Sequence, residues 1–245
     1  MTTSQLTAAP LANTHRVQLR DLADAARLTA AVPTDLISRL AAAPGLVRPG
    51  IAHWDMKTRL PLHPLSIENA YGDARLLRDL AVPGATYAHQ LNVDVVVGAE
   101  TGGIPLAAAV ALAADLPFAF VRKPGYVGHE DNEPRVRGAS VAGKRVLLVD
   151  DAISQGTALE AFANQLRLEG AILVGAFTLV DMRDVADSVT PTALTLPIAS
   201  VATYLQVLDS TTDLGILQPA IHDLAVDALI NHWPDQDPRW SLLAA

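Results

Sequence analysis

One stretch, Arg145 to Thr157 with the sequence RVLLVDDAISQGT, limits what this chain can fold into more than any other. Val146 to Val149 is an unbroken apolar run, which reads as a strand buried on both faces of a parallel sheet. Asp150 and Asp151 end it. Ser154, Gln155, Gly156 and Thr157 then open a segment, Ala158 to Glu169, in which Leu159, Phe162 and Leu166 recur at helical spacing. A helix start built of small and hydroxyl residues presents backbone N–H groups and the positive end of the dipole, and so can hold a phosphate. Two carboxylates directly before such a cradle repel a bare phosphate. They suit a ligand that also carries hydroxyl donors or a divalent metal, and a phosphorylated sugar is the economical choice. An ordinary strand-to-helix turn with Ser154 as N-cap accounts for Ser154 and Gly156 but leaves the paired acids unexplained.

Similar units precede this one. Val93 to Gly98 is a second apolar strand that runs into Ala99-Glu100-Thr101-Gly102-Gly103, and a helix rich in small residues is expected from Ile104 to Ala114. Paired glycines let backbone come close to an anion. The spacing of Gly98, Gly102 and Gly103 does not match the Gly-x-Gly-x-x-Gly of a dinucleotide fold. Phe118 to Val121 forms a third strand ending in Arg122 and Lys123, two cations with no acid adjacent in sequence and so available to a polyphosphate. From Pro124 to Ala142 there is no period, and a loop that long inside a domain is expected to be a lid or disordered. Ala171 to Val180, ending at Asp181, gives a fourth strand, and Leu194 to Val201 a fifth. The alternation predicts an α/β fold with a doubly wound parallel sheet, whose ligands bind at the carboxyl ends of the strands. All three candidate loops lie at those ends.

Two apparent motifs are set aside. Gly138 to Lys144 fits most of a P-loop, but Arg145 stands where a Ser or Thr is needed, and the stretch precedes a strand rather than following one. His129, Glu130, Asp131 and Glu133 lack a recognised metal-ligand spacing, so a solvated loop tip is expected.

Ahead of these units, a helix is expected from His15 to Ala31 after a disordered start, and another from Thr34 or Asp35 through Ala43, ended by Pro44 and Gly45. Gly50 to Glu68 is irregular and dense in polar and aromatic groups, among them His53, Trp54, Lys57 and Arg59. Ala74 to Gln90 is expected to be helical with a break at Pro83-Gly84. After Thr203 come two short helices, around Leu205 and from Ile221 to Ile230, and an end bearing Trp233 and Trp240.

The 245 residues carry a net charge of −8, so no broad basic face is available for nucleic acid or anionic lipid. Cysteine is absent, which excludes disulfides and thiolate metal sites and fits a cytoplasmic protein. The N-terminus lacks the pattern of a signal peptide. The greasiest stretch, Ile104 to Val121, is interrupted by Pro105, Asp115 and Pro117, so neither a membrane span nor a membrane partner is expected.

The stretch VLLVDDAISQGTA resembles the phosphoribosyl-pyrophosphate (PRPP) motif of type I phosphoribosyltransferases: an apolar strand, two acids, a small pair, then Thr/Ser-x-Gly-Thr. GAETGGIPLA is similar to the pyrophosphate loop of that family, although Gly102 stands where many orotate enzymes carry lysine. The resemblance covers roughly Val93 to Asp181 and implies the type I fold with a small hood built from terminal segments. By it, residues 1–90 form an N-terminal helical arm and possible hood, 91–202 the phosphoribosyltransferase core, and 203–245 a C-terminal helical extension. It implies transfer of 5-phosphoribosyl from PRPP to a nitrogenous base with release of pyrophosphate, and hence a transferase, a glycosyltransferase of nucleotide metabolism. Asp150, Asp151, Lys123 and His129 are then the catalytic candidates. Ala152, Ser154, Gln155, Gly156, Thr157, Glu100, Thr101, Gly102, Gly103 and Arg122 are the PRPP-binding candidates. Magnesium is implied as a cofactor bound mainly through PRPP and pyrophosphate, with no metal site of the protein's own, and a homodimer is implied as the assembly. The base is read as orotate from Phe120-Val121-Arg122-Lys123, the Gly-Ala-Ser-x-x-Gly-Lys-Arg lead-in and Glu169-Gly170-Ala171. The hood pattern Ser-Gly-x-x-Ser of orotate enzymes is missing. A purine acceptor, as in adenine and xanthine enzymes, is the alternative, and a PRPP- or nucleotide-sensing regulator without turnover is the reading from another class.

Overall fold

The computed structural model describes residues 32–47, 65–123, 134–154, 156–182, 196–231 and 237–239. Along the chain these form α1 (Thr34–Ala41), a 3-10 helix (Ile67–Gly72), α2 (Ala74–Gln90), β1 (Val95–Ala99), α3 (Gly103–Ala114), β2 (Phe118–Val121), β3 (Val136–Gly138) and β4 (Arg145–Val149). β5 (Ala152–Ile153), α4 (Thr157–Leu168), β6 (Ile172–Asp181), β7 (Ile198–Thr203), α5 (Tyr204–Asp213) and α6 (Pro219–Asn231) complete them.

β1 pairs in parallel with β2 and β4, β4 with β6, and β6 with β7, so the expected parallel sheet is present. Alternation along each strand divides the core between its two faces. Val96, Leu147, Val149, Phe177 and Leu179 bury against α2 and α3 and, through them, against α1, α5 and α6. Val95, Val97, Val146 and Leu148 bury against Leu159, Phe162, Ala163 and Leu166 of α4 on the other face. The sheet is therefore doubly wound, and the helical triplet read from α4 is its buried stripe. Side chains of α1, α5 and α6 share one apolar cluster, so segments from both ends of the chain meet over one face. No described helix is long and apolar enough to cross a membrane.

Local expectations are corrected in five places. α2 runs unbroken through Pro83 and Gly84. Both are buried, and a Cβ on Gly84 would meet Val110 and Phe177 at under 3 Å, so packing on α3 and the sheet holds a helix that local propensity would end. The aperiodic segment before β4 contains β3, an antiparallel partner of β2 whose three residues are too few to show a period. The short strand β5 follows Asp151 and pairs with the far end of β6. Pro33, not Thr34 or Asp35, occupies the N-cap of α1, and no side chain caps it. Ile67 and Glu68, at the end of the stretch read as irregular, open a 3-10 helix that runs to Gly72. Asp73 ends that turn and caps α2, accepting from the Arg75 and Leu76 amides at 2.8 and 3.2 Å. Arg145 locks the start of β4 to the end of α2, donating to the carbonyls of Asn92 and Leu91 at 2.9 and 2.8 Å. The expected helix at 15–31, the loop at 50–64, the lid at 124–133 and Trp233 and Trp240 lie outside the described residues.

Candidate active site

The loops after β1, β2 and β4 leave the sheet at the same edge, because those strands are adjacent and parallel. Asp150 continues β4, its amide bonded to the Phe177 carbonyl at 3.0 Å, and the Asp151 carbonyl accepts from Leu179 at 2.9 Å. The acid pair is thus pinned to β6 by backbone and has little freedom to swing away. Asp150 Oδ1 accepts from the Asp151 amide at 3.0 Å, and Asp151 Oδ1 from the Ala152 amide at 2.7 Å. Burial raises the affinity of both carboxyls for protons. For Asp150 the neighbouring Asp151 charge adds to burial, and its value rises well above the ordinary carboxylate range. Asp151 is raised too, chiefly by burial, against the opposing pull of the Ala152 amide. Such a pair gains when a ligand brings hydroxyl donors or positive charge.

Gly156, not Ser154, stands at the N-cap of α4, with φ 78° and no side-chain cap. Only glycine takes that left-handed conformation without strain. The first helical bond runs from the Glu160 amide to the Gly156 carbonyl, so the amides of the first turn have no acceptor within the helix. Ser154 is half-buried beside β5 and Thr157 is exposed at the helix start, whereas Gln155 lies outside the described residues.

The turn after β1 reaches this motif across the sheet. An added Cβ on Gly102 would lie 2.2 Å from Asp151 Oδ2, and one on Gly103 2.3 Å from the Val149 carbonyl oxygen. The two glycines are therefore required by closeness to the acid pair. Glu100 and Thr101 are joined by a cis peptide bond. The Glu100 side chain turns sideways to β2, accepting from the Lys123 amide at 2.8 Å, with its other oxygen 4.0 Å from Arg122 Nη1. Glu100 thus supplies a carboxylate to the Arg122 guanidinium and holds the backbone of Lys123, not its ammonium group. His129 lies outside the described residues.

One neighbour was not singled out from sequence. Tyr71, on the 3-10 helix, donates its hydroxyl hydrogen bond to the Gly102 carbonyl at 2.9 Å. Burial, then the charges of Asp151, Asp150 and Glu68, hold its phenol protonated well beyond the usual range. Nothing in its local sequence points to Gly102, 31 residues away. Among the described residues no group of three or more His, Asp or Glu is arranged to hold a metal ion.

Known proteins bear on this arrangement. Residues 78–192 match the model of the phosphoribosyl transferase domain. Orotate phosphoribosyltransferase of Pyrobaculum islandicum is 28% identical over 169 residues, which span 69% of this chain and 86% of that protein. Hypoxanthine/guanine phosphoribosyltransferase of Methanococcus maripaludis is 30% identical over 131 residues, 49% of this chain and 70% of that one. The crystal structure of orotate phosphoribosyltransferase from Aeropyrum pernix superposes with a TM-score of 0.56 at 23% identity, covering 74% of this chain and 98% of the other. With its doubly wound sheet, its acid pair ahead of an open helix start and these relatives, the chain belongs to the phosphoribosyltransferase family and is an enzyme of the pentosyltransferase type.

Proposed function

We propose that the enzyme transfers the 5-phosphoribosyl group of PRPP to a ring nitrogen of orotate or a closely similar base, releasing pyrophosphate. The observation that carries this is the half-buried Asp150–Asp151 pair, set between the open N-terminus of α4 and the Gly102-Gly103 turn. Amides of α4 and the hydroxyls of Ser154 and Thr157 take the 5′-phosphate, with Gln155 and Ala152 assigned to the same group. Asp150 and Asp151 accept from the ribose hydroxyls, and their charge favours the cationic ribose of the transition state. On the pyrophosphate side, the Glu100 to Gly103 loop supplies backbone amides. Arg122 and Lys123 offset the departing charge, with His129 assigned to proton handling. Magnesium carried mainly by PRPP would supply charge neutralisation of the diphosphate, with Asp150 and Asp151 as the carboxylates that would meet it.

The base rests on the orotate relatives, while the hypoxanthine/guanine relative keeps a purine acceptor as the second reading. Incubation with PRPP, magnesium and a panel of bases, monitoring pyrophosphate, separates them. Turnover with orotate is expected; turnover with a purine alone overturns the base, and PRPP binding without turnover points to a regulator.

The same proposal includes a cytoplasmic location and a homodimer joined through α3. Gly103 to Ala114 contains no charged or polar side chain, and Leu112 on its outer side is 84% exposed. A helix apolar all round is built to be covered. For a chain of net charge −8, a charge-free face is one on which two copies meet without repulsion. Leu112→Glu is expected to convert a dimer into a monomer in sedimentation velocity, since a twofold contact brings the new carboxylates together. A wild type that already sediments as a monomer overturns this assembly.

A further inference from the structure

We propose that Tyr71 is a positioning residue for pyrophosphate: its hydroxyl fixes the Gly102–Gly103 peptide so that the Gly103 amide is presented to the leaving group. The inference rests on the reading above and extends it to a segment outside the recognised motifs.

The geometry is simple. In a trans peptide the carbonyl and the following N–H point in opposite directions, so anchoring the Gly102 carbonyl on Tyr71 aims the Gly103 N–H away from Tyr71. That amide belongs to the first residue of α3, where an N–H has no acceptor within its own helix. Glycine at both positions leaves the peptide with no side chain to steer it, and an added Cβ at either would strike the acid-pair segment. Orientation must come from outside the loop, and the Tyr71 hydroxyl supplies it at 2.9 Å. The donor is permanent, because burial and the neighbouring carboxylates keep the phenol protonated. Tyr71 is itself held in place: Ile67 and Ala70 of its turn are buried in the core, and Asp73 anchors the turn to α2.

A matched control exists within the chain. Tyr87 also donates its hydroxyl to a backbone carbonyl, that of Pro197 at 3.3 Å. Pro197 immediately precedes β7, at the opposite end of the parallel sheet from the candidate loops.

The test is calorimetric titration of wild type, Tyr71→Phe and Tyr87→Phe with magnesium pyrophosphate, PRPP and ribose 5-phosphate. Tyr71→Phe is expected to weaken pyrophosphate and PRPP about 10-fold, as expected when a partly buried carbonyl loses its donor. Ribose 5-phosphate, which has no diphosphate, is expected to bind within about twofold of wild type, and Tyr87→Phe to leave all three unchanged. Circular dichroism and Tm check that a variant lacking one oxygen keeps the fold. Unchanged pyrophosphate affinity in Tyr71→Phe, or an equal loss for ribose 5-phosphate, overturns the positioning role while leaving the proposed function standing. If wild type binds neither PRPP nor ribose 5-phosphate, the proposed function fails and the role of Tyr71 falls with it.

Discussion

Asp151→Asn is expected to lower kcat/KM for PRPP by about 10²–10³-fold, and at the same time to make the ligand-free protein more stable. The amide keeps the shape of the carboxylate, and its oxygen can still accept from the Ala152 N–H, so the β4-to-α4 turn persists. What is lost is negative charge beside the ribose, where positive charge builds up in the transition state. The gain in stability follows from protonation. Both carboxyls are raised by burial, Asp150 with help from the Asp151 charge, so the folded protein binds protons that the unfolded chain releases. Stability therefore falls as pH climbs from the ordinary carboxylate range through the raised values, and stays lowered above them. Tm of wild type and variant should be close near pH ~4 and diverge toward neutral pH, by about 2–4 °C for each kcal/mol recovered. An unchanged rate with PRPP would remove Asp151 from the ribose. A Tm below that of wild type at pH 7 would show that the pair is not an electrostatic burden.

The second large effect comes from one methyl group. Gly102 has φ −63° and ψ −33°, a conformation any residue adopts, so Gly102→Ala carries no backbone penalty. Its cost is spatial, because the new Cβ would sit 2.2 Å from Asp151 Oδ2 and the carboxylate must move. Displacing a reacting group by about 1 Å costs on the order of 100-fold in turnover, with Tm expected to shift little because a side chain yields. Gly103→Ala presses on the Val149 carbonyl instead, and backbone within β4 cannot yield so cheaply. A stability loss of about 1–3 kcal/mol in urea unfolding is expected there. If Gly102→Ala acts through Asp151, it should cost little more in the Asp151→Asn background, since the two changes touch one contact. Full additivity would separate them.

Local pattern carried a large part of this reading. The pattern bounds β2 to the residue and places α3, α4 and α6 to within a few residues, because each has a sustained apolar period or run, whereas for α5 it marks only Leu205, near the helix start. The PRPP motif was legible for a different reason: acids, small residues and hydroxyls follow one another within a single strand–turn–helix, so their order in sequence is their order in space. The misses share a cause as well. β3 and β5 have three and two residues, and they form where β2 offers a free edge and where β6 runs on past its pairing with β4. α2 continues through Pro83 and Gly84 with both buried, Gly84 against Val110 and Phe177, neighbours that local propensity cannot see.

By itself, then, the order of residues determined the strand-and-helix alternation, the parallel sheet and the acid pair before a helix start, since these need only short-range periodicity and neighbouring chemistry. The tertiary structure decided which groups confront one another across those units. It brought the Gly102 backbone against Asp151, set Glu100 beside the Arg122 guanidinium and the Lys123 amide, and placed the Tyr71 hydroxyl on the Gly102 carbonyl. Such contacts join residues 22 to 49 apart, and their energies depend on distances that are fixed only when both faces of the sheet are packed.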